Sequence, residues 1–365
     1  MMLKSPSLFR RLLLASALFG LPASAYAADA PSVVVSIKPI HGIASAIMKD
    51  VGTPTLLIDG AASPHAYSLR PSEARALQDA DLVIYVSHAL EGFLEKPLES
   101  LSGNAHQLEL VDISGLALRH MREGGAWEAH SHDHGGHDDD DHDHADDHDH
   151  DHDHDDADHD AHHDDDDHDH ATAAHDDHDE HDAHEHEEHE HEDGIDPHIW
   201  LDPANGASIA KAIADELGEI DPDHRATYQE NLKKLLASLA ALGNDLDNQL
   251  APVRNKSFVV FHDAYQYLEA GFDLNAVGSI TVSPEQKPGA RRLHEIEDKI
   301  RESGAVCVFA EPQFRPAIVE AVVADTGAHI GTLDPLGADI DAGPDAYQEI
   351  LKQNVAALAD CLSGS

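Results

Sequence analysis

The chain has 365 residues, of which 41% are hydrophobic and 26% charged, and its 71 Asp and Glu against 23 Lys and Arg give a formal net charge of -48. Such an acidic balance excludes nucleic acid and anionic membrane as partners. It is uneven along the chain: residues 128–193 hold 32 of the acidic residues and no Lys or Arg, and without them and the three positive charges of residues 1–27 the formal charge falls from -48 to -19.

Residues 1–27 read as a cleavable secretory signal, with Lys4, Arg10 and Arg11 ahead of the apolar run "LLLASALFGLPA" and a small-x-small ending at Ala25 and Ala27. The run is too short to span a bilayer, and no cysteine lies near it to carry a lipid, so a soluble periplasmic product is expected. Export in turn bears on the only two cysteines, Cys307 and Cys361, which in an oxidising compartment are expected to form one disulfide; two unrelated buried thiols are the alternative.

Residues 28–220 are expected to form an N-terminal α/β lobe. "SVVVSI", a helix from about Pro39, "TPTLLI", a helix after Pro71, "DLVIYV" and a further helix alternate as βα units do, which predicts a parallel sheet covered by helices. Residues 123–193 interrupt this lobe. They contain almost no large apolar side chains, too few to offset the entropy of ordering, and read as a disordered His/Asp-rich insertion. "DPHIWLDP" and a helix from about Ala204 then return to the first sheet. Residues 221–253 form the linker: "PDHRATYQENLKKLLASLAALGNDLDNQL" predicts one long rigid helix, with Asp221 as N-cap and Pro222 at the first helical position. At about 29 residues it would span roughly 43 Å and join two lobes. From "KSFVVFHD" the alternation resumes through "AVCVFA" and "AHIGTLD", so residues 254–365 are expected to be a second α/β lobe of mainly parallel sheet.

Three histidines outside the low-complexity run stand apart. His65 follows a proline and precedes a helix in "ASPHAYSLRPS", His198 sits beside apolar Ile199 and Trp200, and His262 closes the strand "FVVFHDAY" at its carboxyl end, where ligands bind in open parallel sheets. Any one alone reads first as a hydrogen-bonded core histidine. Their joint placement at strand ends of both lobes points to a shared ion. Asp334 in "GTLDPLG" also follows a strand and reads either as a fourth ligand or as a turn carboxylate. Neutral imidazoles with one carboxylate suit tetrahedral zinc; manganese and calcium favour more oxygen and copper(I) favours sulfur. Asp263 reads as a cap of the following helix or as a partner orienting an imidazole, and His41 as a packing residue of the first helix.

"SPHAYSLRPS", "DPHIWLDP", "FHDAYQYLEAGF", "PGARRLHEIEDKI", "VFAEPQFRP" and "GTLDPLG" together resemble the successive motifs of the periplasmic zinc-binding subunit of ABC zinc-uptake transporters, the ZnuA type, over nearly all of residues 33–361. The resemblance implies two α/β lobes joined by a long helix, and one Zn2+ between them held by His65, His198 and His262. It implies partners too: an inner-membrane ABC zinc permease with its cytoplasmic ATPase, served by a monomer. Some members carry a glutamate immediately before the first histidine. Here that position is Pro64, so Asp334 or water must complete the shell. Manganese-binding relatives replace the third histidine by glutamate, which His262 argues against. Glu311 resembles a family position of structural type.

Two other readings are a periplasmic zinc buffer without a transporter, and a manganese-binding transporter subunit. An enzyme is not expected: there is no HExxH and no nucleophile motif. The 22 histidines between residues 130 and 191, with His148, His150, His152, His154, His168 and His170 in the densest part, are expected to be accessory weak zinc ligands.

Overall fold

The computed structural model describes residues 30–103, 105–122, 127, 194–281 and 288–364. The signal reading of residues 1–27, the disorder expected across the His/Asp-rich insertion and the accessory histidines from His148 to His170 lie outside the described residues.

Two four-stranded sheets, each wholly parallel, carry the fold. The first comprises β1 (Val33–Ile37), β2 (Thr55–Ile58), β3 (Leu82–Tyr85) and β4 (His106–Glu109) in the order β2-β1-β3-β4. Its crossovers include α1 (Lys38–Ile47), α2 (Pro71–Gln78) and α3 (Glu95–Leu101). The second comprises β5 (Ser257–His262), β6 (Asn275–Thr281), β7 (Cys307–Ala310) and β8 (His329–Thr332) in the order β6-β5-β7-β8, with α6 (Gln266–Gly271), α7 (Ala290–Ser303) and α8 (Ala317–Val323) between the strands. Between the sheets run α4 (Pro203–Ile220) and α5 (Arg225–Leu250), and α9 (Ala346–Ser363) ends the fold. This is the architecture of two parallel-sheet lobes expected from the alternating βα pattern. β1 and β3 are buried along their whole length, as strands covered on both faces must be.

Strand alternation splits the second lobe's apolar residues between two clusters. Phe258, Val260, Cys307 and Phe309 face a large core shared with α4, α5 and α9, while Val259, Phe261 and Val308 face a smaller one with Ile296, Ile300 and Val319. The long helix has 26 residues, about 39 Å at 1.5 Å per residue, and buries a leucine stripe from Leu232 to Leu250. It starts three residues later than its sequence suggests. Asp221 caps no amide of the helix from Arg225 on; its Oδ1 accepts the amide of His224, just ahead of it, at 3.4 Å. Instead, Asp221 follows the last residue of α4 and accepts the Tyr228 hydroxyl at 2.7 Å and His224 Nδ1 at 2.7 Å, pinning residues 222–224 as a turn. Asn231 on the buried face donates to the carbonyls of Ile47 at 3.0 Å and Lys49 at 2.8 Å, which ties α5 to the end of α1.

α9 packs on α1, α5 and β8. Its Tyr347 hydroxyl donates to the Trp200 carbonyl at 2.8 Å, and Gly206 of α4 leaves the room, since a Cβ there would collide with that hydroxyl. The expected disulfide joins Cys307 on β7 to Cys361 on α9, with their Cα atoms 6.2 Å apart.

Candidate metal centre

Each of the three singled-out histidines is delivered by a different local device. His65 lies in a short helical turn, Pro64–Ala66, that follows β2. The next residue, Tyr67, fixes that turn by donating to Glu73 on α2 at 2.8 Å and packing edge-on against Phe93 at 5.2 Å. His198 precedes the turn Ile199–Leu201, whose three side chains are fully buried, and Trp200 donates its indole N–H to the Pro335 carbonyl at 2.9 Å. His262 is the last residue of β5, a strand buried from Phe258 onward.

The structure brings these three together. One ligand nitrogen from each lies within 4.8 Å of the other two, and this is the group with metal-holding geometry among the described residues. Trp200, Phe314, Pro335 and Leu336 line the same cavity, so the imidazoles meet in a largely apolar pocket.

Two carboxylates set the rings. Asp196 Oδ1 accepts both the His198 backbone N–H at 3.0 Å and its Nδ1 at 2.7 Å. Glu311 Oε1 accepts His262 Nδ1 at 2.7 Å. With both Nδ1 atoms donating outward, His198 Nε2 and His262 Nε2 are turned toward each other at 3.3 Å. A tetrahedron with Zn–N bonds of 2.0–2.1 Å has edges of about 3.3–3.4 Å. Two neutral imidazoles so arranged would oppose lone pair to lone pair, and only a shared proton or a cation relieves that.

The electrostatics agree with the shared proton in the metal-free chain. Burial, reinforced by the charge of His262, holds His198 well below its ordinary value. Burial alone would lower His262 too, but the Glu311 carboxylate outweighs it and holds His262 above the ordinary imidazole value. A divalent ion must displace that proton, so its uptake is expected to release about one proton per ion below the raised value of His262 and fewer above it. Titration calorimetry in buffers of differing ionisation enthalpy measures this directly, and proton release that did not fall with rising pH would contradict it. The two carboxylates offset the ion's charge as well as orienting its ligands. Asp196→Ala and Glu311→Gln are each expected to weaken binding of the ion about 10–100-fold without changing the number held. Competition with a chelator of known affinity measures both.

Asp334 does not join this group. Its Oδ1 accepts Gln313 Nε2 at 2.8 Å and the amides of Leu336 at 3.1 Å and Gly337 at 3.0 Å, while Oδ2 accepts the Ala338 amide at 2.6 Å. The turn role weighed against a ligand role is the one its bonds describe. Asp263 neither caps a helix nor orients an imidazole. It pairs with the Arg122 guanidinium, which also bonds Glu269 of α6 at 2.6 Å and 3.1 Å. His41 packs as expected, with Nε2 at 3.0 Å from the Pro54 carbonyl. Sequence reading leaves Asp196 unremarked and takes Glu311 as structural; the structure sets both against the imidazoles. Asp196 was legible as an acid two places before a buried histidine; Glu311 needed the strand order.

A family model described as zinc-uptake complex component A, periplasmic, matches residues 33–361. The high-affinity zinc uptake system protein ZnuA of Brucella suis is 48% identical over 353 residues, covering 96% of this chain and 98% of that protein. The protein of the same name from Yersinia pestis is 36% identical over 363 residues, 99% and 100% of the two chains. A crystal structure of a ZnuA superposes with a TM-score of 0.65 over 92% of this chain and 100% of that one; at 24% identity it speaks for the fold. Matched from the first strand to the last helix, the chain belongs to the ZnuA family, the periplasmic component A of zinc-uptake complexes.

Proposed function

We propose that the chain captures one Zn2+ through a ring nitrogen of His65 and Nε2 of His198 and His262 in the periplasm and delivers it to an ABC permease for uptake. The observation that carries this is the 3.3 Å separation of His198 Nε2 and His262 Nε2, each ring held from behind by a buried carboxylate. That preset edge fits zinc and leaves a fourth position for water, since Asp334 is engaged elsewhere. The nitrogen-rich set argues against manganese, which favours oxygen donors. The zinc uptake systems to which the relatives' names assign them support delivery to a transporter over simple buffering.

Adding the zinc-loaded chain to the cognate permease and ATPase in proteoliposomes is expected to stimulate ATP hydrolysis and zinc entry. Tight zinc binding with no stimulation would leave a periplasmic buffer instead. The His/Asp-rich insertion serves this function as a collector, because its alternating donors offer many overlapping ligand sets with none distinguished from the rest.

A further inference from the structure

We infer that Lys38 is a positioning residue for zinc retention, pinning the wall of the metal cavity so that the ion leaves slowly. Lys38 is the first residue of α1, directly after β1. Its side chain is only 3% exposed, yet it carries an ammonium, the group least suited to burial without compensation. Compensation comes from across the fold. Nζ donates to the carbonyls of Gly337 at 2.9 Å, Ala338 at 3.4 Å and Ile340 at 2.7 Å, and pairs with Asp59 at 2.9 Å from the other side. Asp59 follows β2 and is itself 68% exposed, so it steadies the ammonium from the surface.

The segment it grips leads from β8 into α9 and has two further restraints. Asp334 gathers the amides of Leu336, Gly337 and Ala338, and the Pro335 carbonyl receives the Trp200 indole N–H at 2.9 Å. Gly337 takes a left-handed φ of 68°, which turns its carbonyl out of the helical sense. Amides converge on Asp334 and carbonyls on Lys38, so the two charges fix opposite sides of one loop. That loop presents Pro335 and Leu336 to the cavity that holds the three histidines. Lys38 touches no ligand. It acts through this wall, which keeps solvent and competing ligands from the ion, and the rate it governs is release. A lysine is suited to the task because its three donors can be shared between Asp59 and the carbonyls of one loop. If the loop lifts, the ammonium loses its carbonyl acceptors and keeps only Asp59, which makes the closed position the stable one.

This inference rests on the zinc reading above, and one set of measurements separates the two. The full chain and its variants are loaded with one equivalent of zinc, and release is followed by stopped flow into excess chromophoric chelator. Cobalt(II) absorption reports the ligand shell. Lys38→Met is expected to release zinc about tenfold faster or more, with one tight equivalent retained and the cobalt spectrum unchanged. Lys38→Arg, which keeps a cation, is expected to fall in between. Asp59→Lys sets a second ammonium beside the first at an exposed site and is expected to speed release several-fold; it decides alone if Lys38→Met does not fold. Release within about twofold of wild type in folded Lys38→Met and in Asp59→Lys would overturn the inference. So would an altered cobalt spectrum, which would mean that Lys38 merely supports the ligand residues. A wild-type chain with no tight equivalent would instead overturn the zinc reading itself.

Discussion

Replacing His198 or His262 by alanine is expected to weaken zinc binding by roughly 10² to 10³-fold while the protein stays folded. The magnitude follows from the total binding energy of four-coordinate structural zinc sites, about 10–16 kcal/mol, which shared over four positions is about 2.5–4 kcal/mol each. Both imidazoles are buried and aligned in advance by Asp196 and Glu311, so each variant loses a bond already prepared and leaves a carboxylate with nothing to orient. His65 is half-buried on its own turn, and His65→Ala is expected to do less harm to the fold and comparable harm to affinity. Competition titration against a chelator of known affinity decides, with circular dichroism as the check on folding. Unchanged affinity in any one variant would remove that residue from the ligand set.

The second large effect concerns stoichiometry. Deleting residues 129–192 is expected to abolish the weaker zinc sites and leave a single tight one, in a protein of similar thermal stability. The compact unit formed by residues 1–128 and 195–365 contains all three histidines and both orienting carboxylates. The described chain on either side of the deletion is held close: His120 bridges Ile195, and the Asp196 amide donates to the Arg119 carbonyl at 2.8 Å. α6 grips the same point, since Gln266 donates to the His120 carbonyl at 2.9 Å and the Tyr267 hydroxyl to the Asp196 carbonyl at 2.8 Å. The residues kept between His120 and Ile195 therefore have only to close a loop between adjacent positions. The lost sites take with them a dependence on pH centred near 6.5, the ordinary imidazole value. Isothermal titration of the full and shortened chains makes the comparison. Loss of the tight event in a folded deletion variant would place the primary site in the insertion and refute the assignment.

The parallel sheets were legible wherever β-branched runs are buried on both faces, as in "SVVVSI", "DLVIYV" and "FVVFHD". β4 was not: "HQLE" is polar and half exposed because it lies at the sheet edge, so no apolar signal marks it. The helix boundary at Asp221 misled because an Asp-Pro pair has the same chemistry at a helix start as in a turn, and the deciding partner, Tyr228, lies seven residues on. His262 showed itself by its position at a strand end; His65 and His198 sit in turns rather than at strand ends, and showed themselves by the proline and the apolar residues beside them. Of their supporting acids, Asp196 lies two residues from its histidine, whereas Glu311 depends on pairing between strands far apart in sequence. Phe258 stands opposite Cys307, and four residues further along both chains the same register sets His262 beside Glu311. No local pattern encodes that register. Asp334 stayed open between ligand and turn for the converse reason: it too follows a strand, but the loop behind it turns three amides onto the carboxylate, and that choice is made by backbone geometry.

The assignment of one zinc ion to His65, His198 and His262 is tested most directly by anomalous diffraction from crystals of the deletion variant loaded with one equivalent of zinc, collected on either side of the zinc edge. The account predicts one strong peak 2.0–2.1 Å from Nε2 of His198 and of His262 and from a ring nitrogen of His65, with a water-sized fourth neighbour. A principal peak elsewhere, or one that lacks any of these three nitrogens, would contradict it.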